Sequence, residues 1–171
     1  MKISIIAVGN IKDKFYKDAV LEYSKRISKF CEFEIIEAKE EKIPDNAGDS
    51  VISQIKKTEM ENIIKKTATF AKLKSAPQAR QKCIIIVLDI HGKALDSVEF
   101  ADKLEEYFTF GYSNICFIIG GSLGIHEDFL KKADFRLSLS AMTFPHVLAR
   151  VILTEQIYRA FKIMKGQKYH K

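Results

Sequence analysis

The chain is 171 residues long, 47% apolar and 29% charged, with 28 Lys and Arg against 22 Asp and Glu for a formal net charge of +6. That length suits one domain with a real core, and the balance is that of a soluble globular protein, not a disordered or fibrous one. No apolar run approaches the roughly 20 residues of a membrane span, and the amino terminus, broken at once by Gly9-Asn10, is too short for a signal peptide, so the cytoplasm is the expected compartment and no membrane partner is expected.

Residues 3–8 read as a buried strand and residues 15–30 as an amphipathic helix, with Tyr16, Ala19, Val20, Tyr23 and Ile27 on one face. A second short strand spans 33–36, and residues 39–49, with Pro44-Asp45-Asn46 and Gly48, form a polar connection. Asp49 or Ser50 then caps a helix whose apolar positions, Val51, Ile55, Ile63 and Ile64, follow a helical stripe only loosely. Residues 70–82 read as a basic loop interrupted by Pro77. The β-branched run 83–88 predicts a strand covered on both faces. A helix from Ser97 to about Tyr107, a strand over 115–119, a short helix over 127–133, a strand over 135–139 and a helix from Pro145 to about Met164 complete the chain. Strands alternating with helices imply an α/β fold with a mostly parallel sheet flanked by helices.

Divided along the chain, the charge is uneven. Residues 56–82 hold 8 basic and 2 acidic side chains and residues 150–171 hold 6 and 1, while the rest of the chain is net acidic. Concentrated cationic segments attract phosphate backbones through counterion release, although lysine-rich helix faces are also common as plain solvated surface. The three cysteines, Cys31, Cys83 and Cys116, are isolated, without CxxC or paired Cys/His spacing. A zinc or redox role therefore has little support, and no metal is expected.

Three short loops follow apolar strands and so fall on one edge of such a sheet: 89–93 (Asp-Ile-His-Gly-Lys), 120–124 (Gly-Gly-Ser-Leu-Gly) and 140–145 (Ser-Ala-Met-Thr-Phe-Pro). Loops at the carboxyl ends of parallel strands build ligand crevices. The 120–124 loop is not GxGxxG and comes late in the chain, and no Walker lysine follows it, which argues against dinucleotide binding and nucleotide hydrolysis. Asp89 reads equally as a general base, a ribose ligand or a turn cap. His146, after Pro145, lies in the first turn of a helix, where it acts on a substrate or merely satisfies backbone groups.

The stretches 2–9, 88–93, 117–124, 139–146 and 155–160, and the ending Tyr169-His170-Lys171, resemble the SPOUT class of knotted RNA methyltransferases and, within it, the ribosomal RNA pseudouridine N3-methyltransferases. The likeness spans essentially the whole chain; the segment near 70–82 is longer than the family's usual connection. It implies one SPOUT domain over 1–171 with a trefoil knot and cofactor site in about 83–171, an obligate homodimer, and S-adenosylmethionine as cofactor. Carried over residue by residue, it implies cofactor contacts at Leu88, Gly120, Leu139, Ser140, Ala141, Met142, Thr143 and Phe144. The implied substrate is a pseudouridine in the helix 69 stem-loop of 23S rRNA on the assembled 70S ribosome, methylated at N3. Candidate catalytic groups are His146, Arg150, Tyr169 and His170, with Arg159, Lys162, Lys165 and Lys168 assigned to phosphates. The competing expectations are a non-catalytic RNA- or ribosome-binding protein of the same fold and a nucleotide-binding oxidoreductase.

Overall fold

The computed structural model describes residues 1–75 and 82–169, with side chains described for 1–66 and 83–169. Five strands, β1 (Lys2–Val8), β2 (Glu32–Ala38), β3 (Lys82–Ala94), β4 (Tyr112–Ile119) and β5 (Phe135–Ser138), form one sheet in the order β2-β1-β4-β3-β5, and all paired neighbours run parallel. The helices are α1 (Lys14–Ile27), α2 (Asp49–Ser75), α3 (Ser97–Thr109), the single turn α4 (Glu127–Leu130) and α5 (His146–Met164). The α/β architecture expected from the alternating periodicities is the one found.

The sheet's central position explains its composition. Ile3, Ile5, Ile6 and Val8 of β1 and Ile115, Phe117 and Ile118 of β4 are fully buried, as strands covered on both faces must be. On one face Ile3, Ile5, Ile86 and Phe117 pack against α1, α3 and α5 through Ile27, Leu104, Leu153, Ile157 and Phe161. On the other, Ile6, Val8, Val87 and Ile118 meet Ile63 of α2 and Phe129 of α4. Cys31, Cys83 and Cys116 are buried in these layers and form no disulfide, and burial pushes the Cys31 thiol up to about 11, so it is inert.

Two local expectations are corrected. Residues 70–75 continue α2 and are not part of a basic loop. Phe70-Ala71-Lys72-Leu73-Lys74 is strongly helix-forming, and Pro77 comes too late to break it; the rest of that loop lies outside the described residues. Residues 89–93 are not a free loop either, because β3 runs on through them to Ala94. Both Leu88 and Lys93 register with Leu137 of β5, so the intervening residues bulge outward. α3 begins with a capping box, Asp96 accepting from the N–H groups of Val98 and Glu99 while Glu99 reaches back to the Asp96 N–H, which fixes the chain direction after β3.

Candidate functional site

Parallel strands put every strand-to-helix connection of the sheet on one edge, and the 120–124 and 140–145 loops and the start of α5 lie there. After β4, Gly121 and Gly124 close a tight turn, the Gly124 N–H donating to the Gly121 carbonyl at 3.0 Å with Gly124 at φ +80°. A Cβ added to Gly120 would stand 2.6 Å from Ile125 Cγ1 and 3.0 Å from the Gly124 carbonyl carbon, so only glycine fits. After β5, the Ser138 hydroxyl donates to the Ser140 carbonyl at 3.0 Å and the Met142 N–H donates to Ser140 Oγ at 3.0 Å. These bonds shape the 139–144 turn before any ligand arrives. Leu88, Leu139 and Phe144 are half-buried, whereas Ala141, Thr143 and Met142, the last 72% exposed, face solvent.

This donor set suits the expected cofactor. A flat adenine with a short polar chain is held by apolar walls and by backbone groups of tight loops, and half-buried leucines and a phenylalanine beside two rigid turns supply both. The bulge of β3 takes a different role. The Asp89 carboxylate pairs with the Arg136 guanidinium and accepts the His91 N–H at 3.2 Å, as a turn cap does.

The edge also holds the catalytic candidates His146 and Arg150, with Glu40 from the polar connection beside them. His146 opens α5 half-buried, its Nε2 3.3 Å from where a Cβ on Gly9 would lie, and Glu40 Oε2 stands 3.0 Å from the same point. The two side chains therefore converge over the end of β1. One turn further along α5, Arg150 is fully buried. It donates to Glu37 Oε1 at 3.0 Å and to the carbonyls of Val8 and Gly9 at 3.3 and 3.1 Å, leaving Nε without a partner. Burial lowers its pKa, partly offset by Glu37. Such a guanidinium ties α5 to the end of β1.

Glu59 of α2 is buried against the 120–124 loop, and its Oε1 accepts the Glu41 N–H at 3.1 Å. A signal for it existed in the sequence: it falls between Ile55 and Ile63 at four-residue spacing, a carboxylate inside the apolar stripe.

Tyr169 is placed elsewhere. Its hydroxyl donates to Glu155 Oε1 at 3.1 Å, its ring meets Tyr158 edge-on at 5.0 Å, and the Arg159 guanidinium lies 4.8 Å over it. Burial, with bonds to Tyr23 and Glu155, raises its pKa. Arg159 is itself paired with Glu155 at 2.6 Å. Glu155 is nine residues along α5 from His146, about 13 Å at helical rise, so within one chain Tyr169 and the cofactor loops are apart. Lys165 and Lys168 are exposed, and Lys162 bonds Gln167 at 2.6 Å. His170 lies outside the described residues. A groove of about 640 Å³ lies between α1 and β2, lined by Lys17, Val20, Phe33, Ile35 and Arg150. It lies beside the edge strand β2, and none of its lining residues comes from the three loops.

The family model described as "Predicted SPOUT methyltransferase" matches residues 1–170. Two relatives named "Ribosomal RNA large subunit methyltransferase H", from Acetivibrio thermocellus and Ruminiclostridium cellulolyticum, are 47% and 49% identical over 171 residues, all of this chain and all of theirs. Among solved structures, a probable methylase family protein from Haemophilus influenzae Rd KW20 superposes with TM-score 0.50 at 12% identity, covering 99% of this chain and 70% of its own. The SpoU methyltransferase AviRb from Streptomyces viridochromogenes, in complex with AdoMet, gives TM-score 0.50 at 12% identity, covering 97% of this chain and 61% of its own.

Proposed function

The chain belongs to the SPOUT methyltransferases, and from that premise we propose that it is an S-adenosylmethionine-dependent enzyme that methylates N3 of a pseudouridine in the helix 69 stem-loop of 23S rRNA on the assembled 70S ribosome. The observation that carries the reading is the full-length identity to relatives named as ribosomal RNA large subunit methyltransferases, together with the meeting of the predicted loops on one sheet edge. One domain over 1–171, with a trefoil knot and the cofactor loops in about 83–171, and a cytoplasmic site of action complete the proposal.

When bound, the cofactor would supply an electrophilic methyl group on a sulfonium. Leu88, Leu139 and Phe144 would wall its base, and backbone groups of Gly120 and of Ser140, Ala141, Met142 and Thr143 would orient its polar parts. N3 of a uracil ring bears a proton, and that proton must leave before the nitrogen can act as a nucleophile. His146, half-buried at the start of α5, is assigned to take that proton, with Arg150 holding the helix that presents it. His170 and Tyr169 are assigned to the target base, Tyr169 by stacking or hydrogen bonding.

The position of Tyr169 supports a homodimer in which each tail completes the partner's site. Val147, Val151 and Ile152 on α5 are half-buried, and Phe15 and Leu21 on the neighbouring α1 are 63% and 59% exposed, an apolar surface suited to a second copy. RNA affinity then comes from the 56–82 and 150–171 segments and from the shape of a large target. Calorimetric titration tests the cofactor: S-adenosylmethionine binds and NAD(P)H does not. Binding of the nicotinamide instead would overturn the reading, and cofactor binding without any turnover on ribosomes would leave a binding protein.

A further inference from the structure

Ile55 and Ile63 are buried one turn on either side of Glu59, so helix geometry carries residue 59 into the same interior stripe. An apolar side chain is expected there. The chain instead places a carboxylate that is 4% exposed, the one buried acidic group among the described residues. A buried carboxylate is costly unless cations or several donors compensate it. Among the described residues the compensation is a single N–H, that of Glu41 on Oε1. Lys56 and His126 line the same crevice without bonding to it. Glu40 and Glu41 add negative charge, and burial holds the Glu59 carboxyl above the usual carboxylate range.

What this charge abuts is the loop assigned to the cofactor. A Cβ on Gly121 would stand 3.0 Å from Glu59 Oε2 and 3.2 Å from Oε1, so both oxygens press on the main chain next to Gly120. The methyl donor and its demethylated product differ in one methyl group and one positive charge, the sulfonium. A buried anion beside the site acts on that difference through protein of low polarizability, where charge interactions reach furthest. We propose that Glu59 is a specificity-determining residue: its carboxylate makes the 120–124 loop prefer cationic S-adenosylmethionine over neutral S-adenosylhomocysteine. This rests on the reading that the loop holds the cofactor. Its consequence is functional, because a spent cofactor that has lost its charge has also lost part of its hold and leaves.

Glu59→Gln keeps the shape and the acceptor for the Glu41 N–H while removing the charge. Calorimetric titration of the full chain with each nucleoside gives two dissociation constants, and their ratio is the readout. In E59Q, binding of S-adenosylmethionine weakens about five-fold or more relative to S-adenosylhomocysteine. Glu59→Asp, which retains the charge on a shorter stem, keeps most of the wild-type ratio. On the wild-type chain, independently of any variant's folding, sinefungin, which carries an amine at the sulfonium position, binds more tightly than S-adenosylhomocysteine. Equal weakening of both nucleosides in E59Q, or parity of sinefungin and S-adenosylhomocysteine on the wild type, would overturn the role of Glu59 alone. A wild-type chain that binds none of them would overturn the cofactor reading and this inference with it.

Discussion

Arg150→Met removes every donor from the most deeply buried charged group while roughly keeping its volume. Three acceptors lose a partner: Glu37 Oε1 and the carbonyls of Val8 and Gly9. The Glu37 side chain is 40% exposed and rehydrates at little cost. The two carbonyls at the end of β1 have no such recourse, and each unsatisfied buried acceptor costs about 1–3 kcal/mol. Offsetting this, the guanidinium no longer has to be desolvated, a burden visible in its lowered pKa and orphaned Nε. The net is a loss of about 2–4 kcal/mol. For a domain of this size each kcal/mol lowers Tm by about 2–4 °C, so a fall of about 5–15 °C is expected. The chain has no Trp, so thermal unfolding is best followed by far-ultraviolet circular dichroism. A Tm within 2 °C of wild type, or a rise, would refute the claim that Arg150 clamps α5 to β1.

Gly120→Val abolishes S-adenosylmethionine binding in calorimetry while circular dichroism still reports a folded chain, because the new side chain overlaps Ile125 and the Gly124 main chain; unchanged affinity would displace the cofactor from this loop. Deleting the three terminal residues, Tyr169 included, lowers methyl transfer drastically but leaves dimerisation and cofactor binding intact; near-normal turnover on ribosomes would reduce the tail to an electrostatic aid. Glu59 has a folded-state pKa raised by burial, so its contribution to stability is fully present below the unfolded pKa of about 4.3 and is lost as pH rises through the folded value. E59Q therefore melts above wild type at pH 7, and the gap closes toward pH 4; a gap of the same size at both pH values would contradict this.

Much of the architecture was readable from period and composition. The apolar runs of β1, β3 and β4 could only be strands covered twice, and Gly120-Gly121 and Ser140 marked loops at their ends. Less legible were features decided by contacts distant in sequence. The bulge in β3 depends on Asp89 meeting Arg136 across the sheet edge. Arg150 reads as a cation near a crevice until Glu37 and the β1 carbonyls are seen around it. Glu40 and His146 converge on Gly9 only because β1, β2 and α5 end together. Glu59 was visible as a break in a stripe, but the loop it presses on was not. The tail's fold onto Glu155 and Tyr158 lay beyond any local pattern, since a basic segment after Gly166 carries no periodicity.

The central claim is a single methyl group at one kind of atom in one kind of target. Ribosomes from a strain lacking this chain, incubated with the purified protein and isotopically labelled S-adenosylmethionine, can be digested and mapped by mass spectrometry. Label is expected at N3 of one pseudouridine of the large-subunit RNA when the substrate is the 70S ribosome, with little label on deproteinised RNA at the same salt. Label at another atom or nucleotide, or equal labelling of the naked stem-loop, would contradict it.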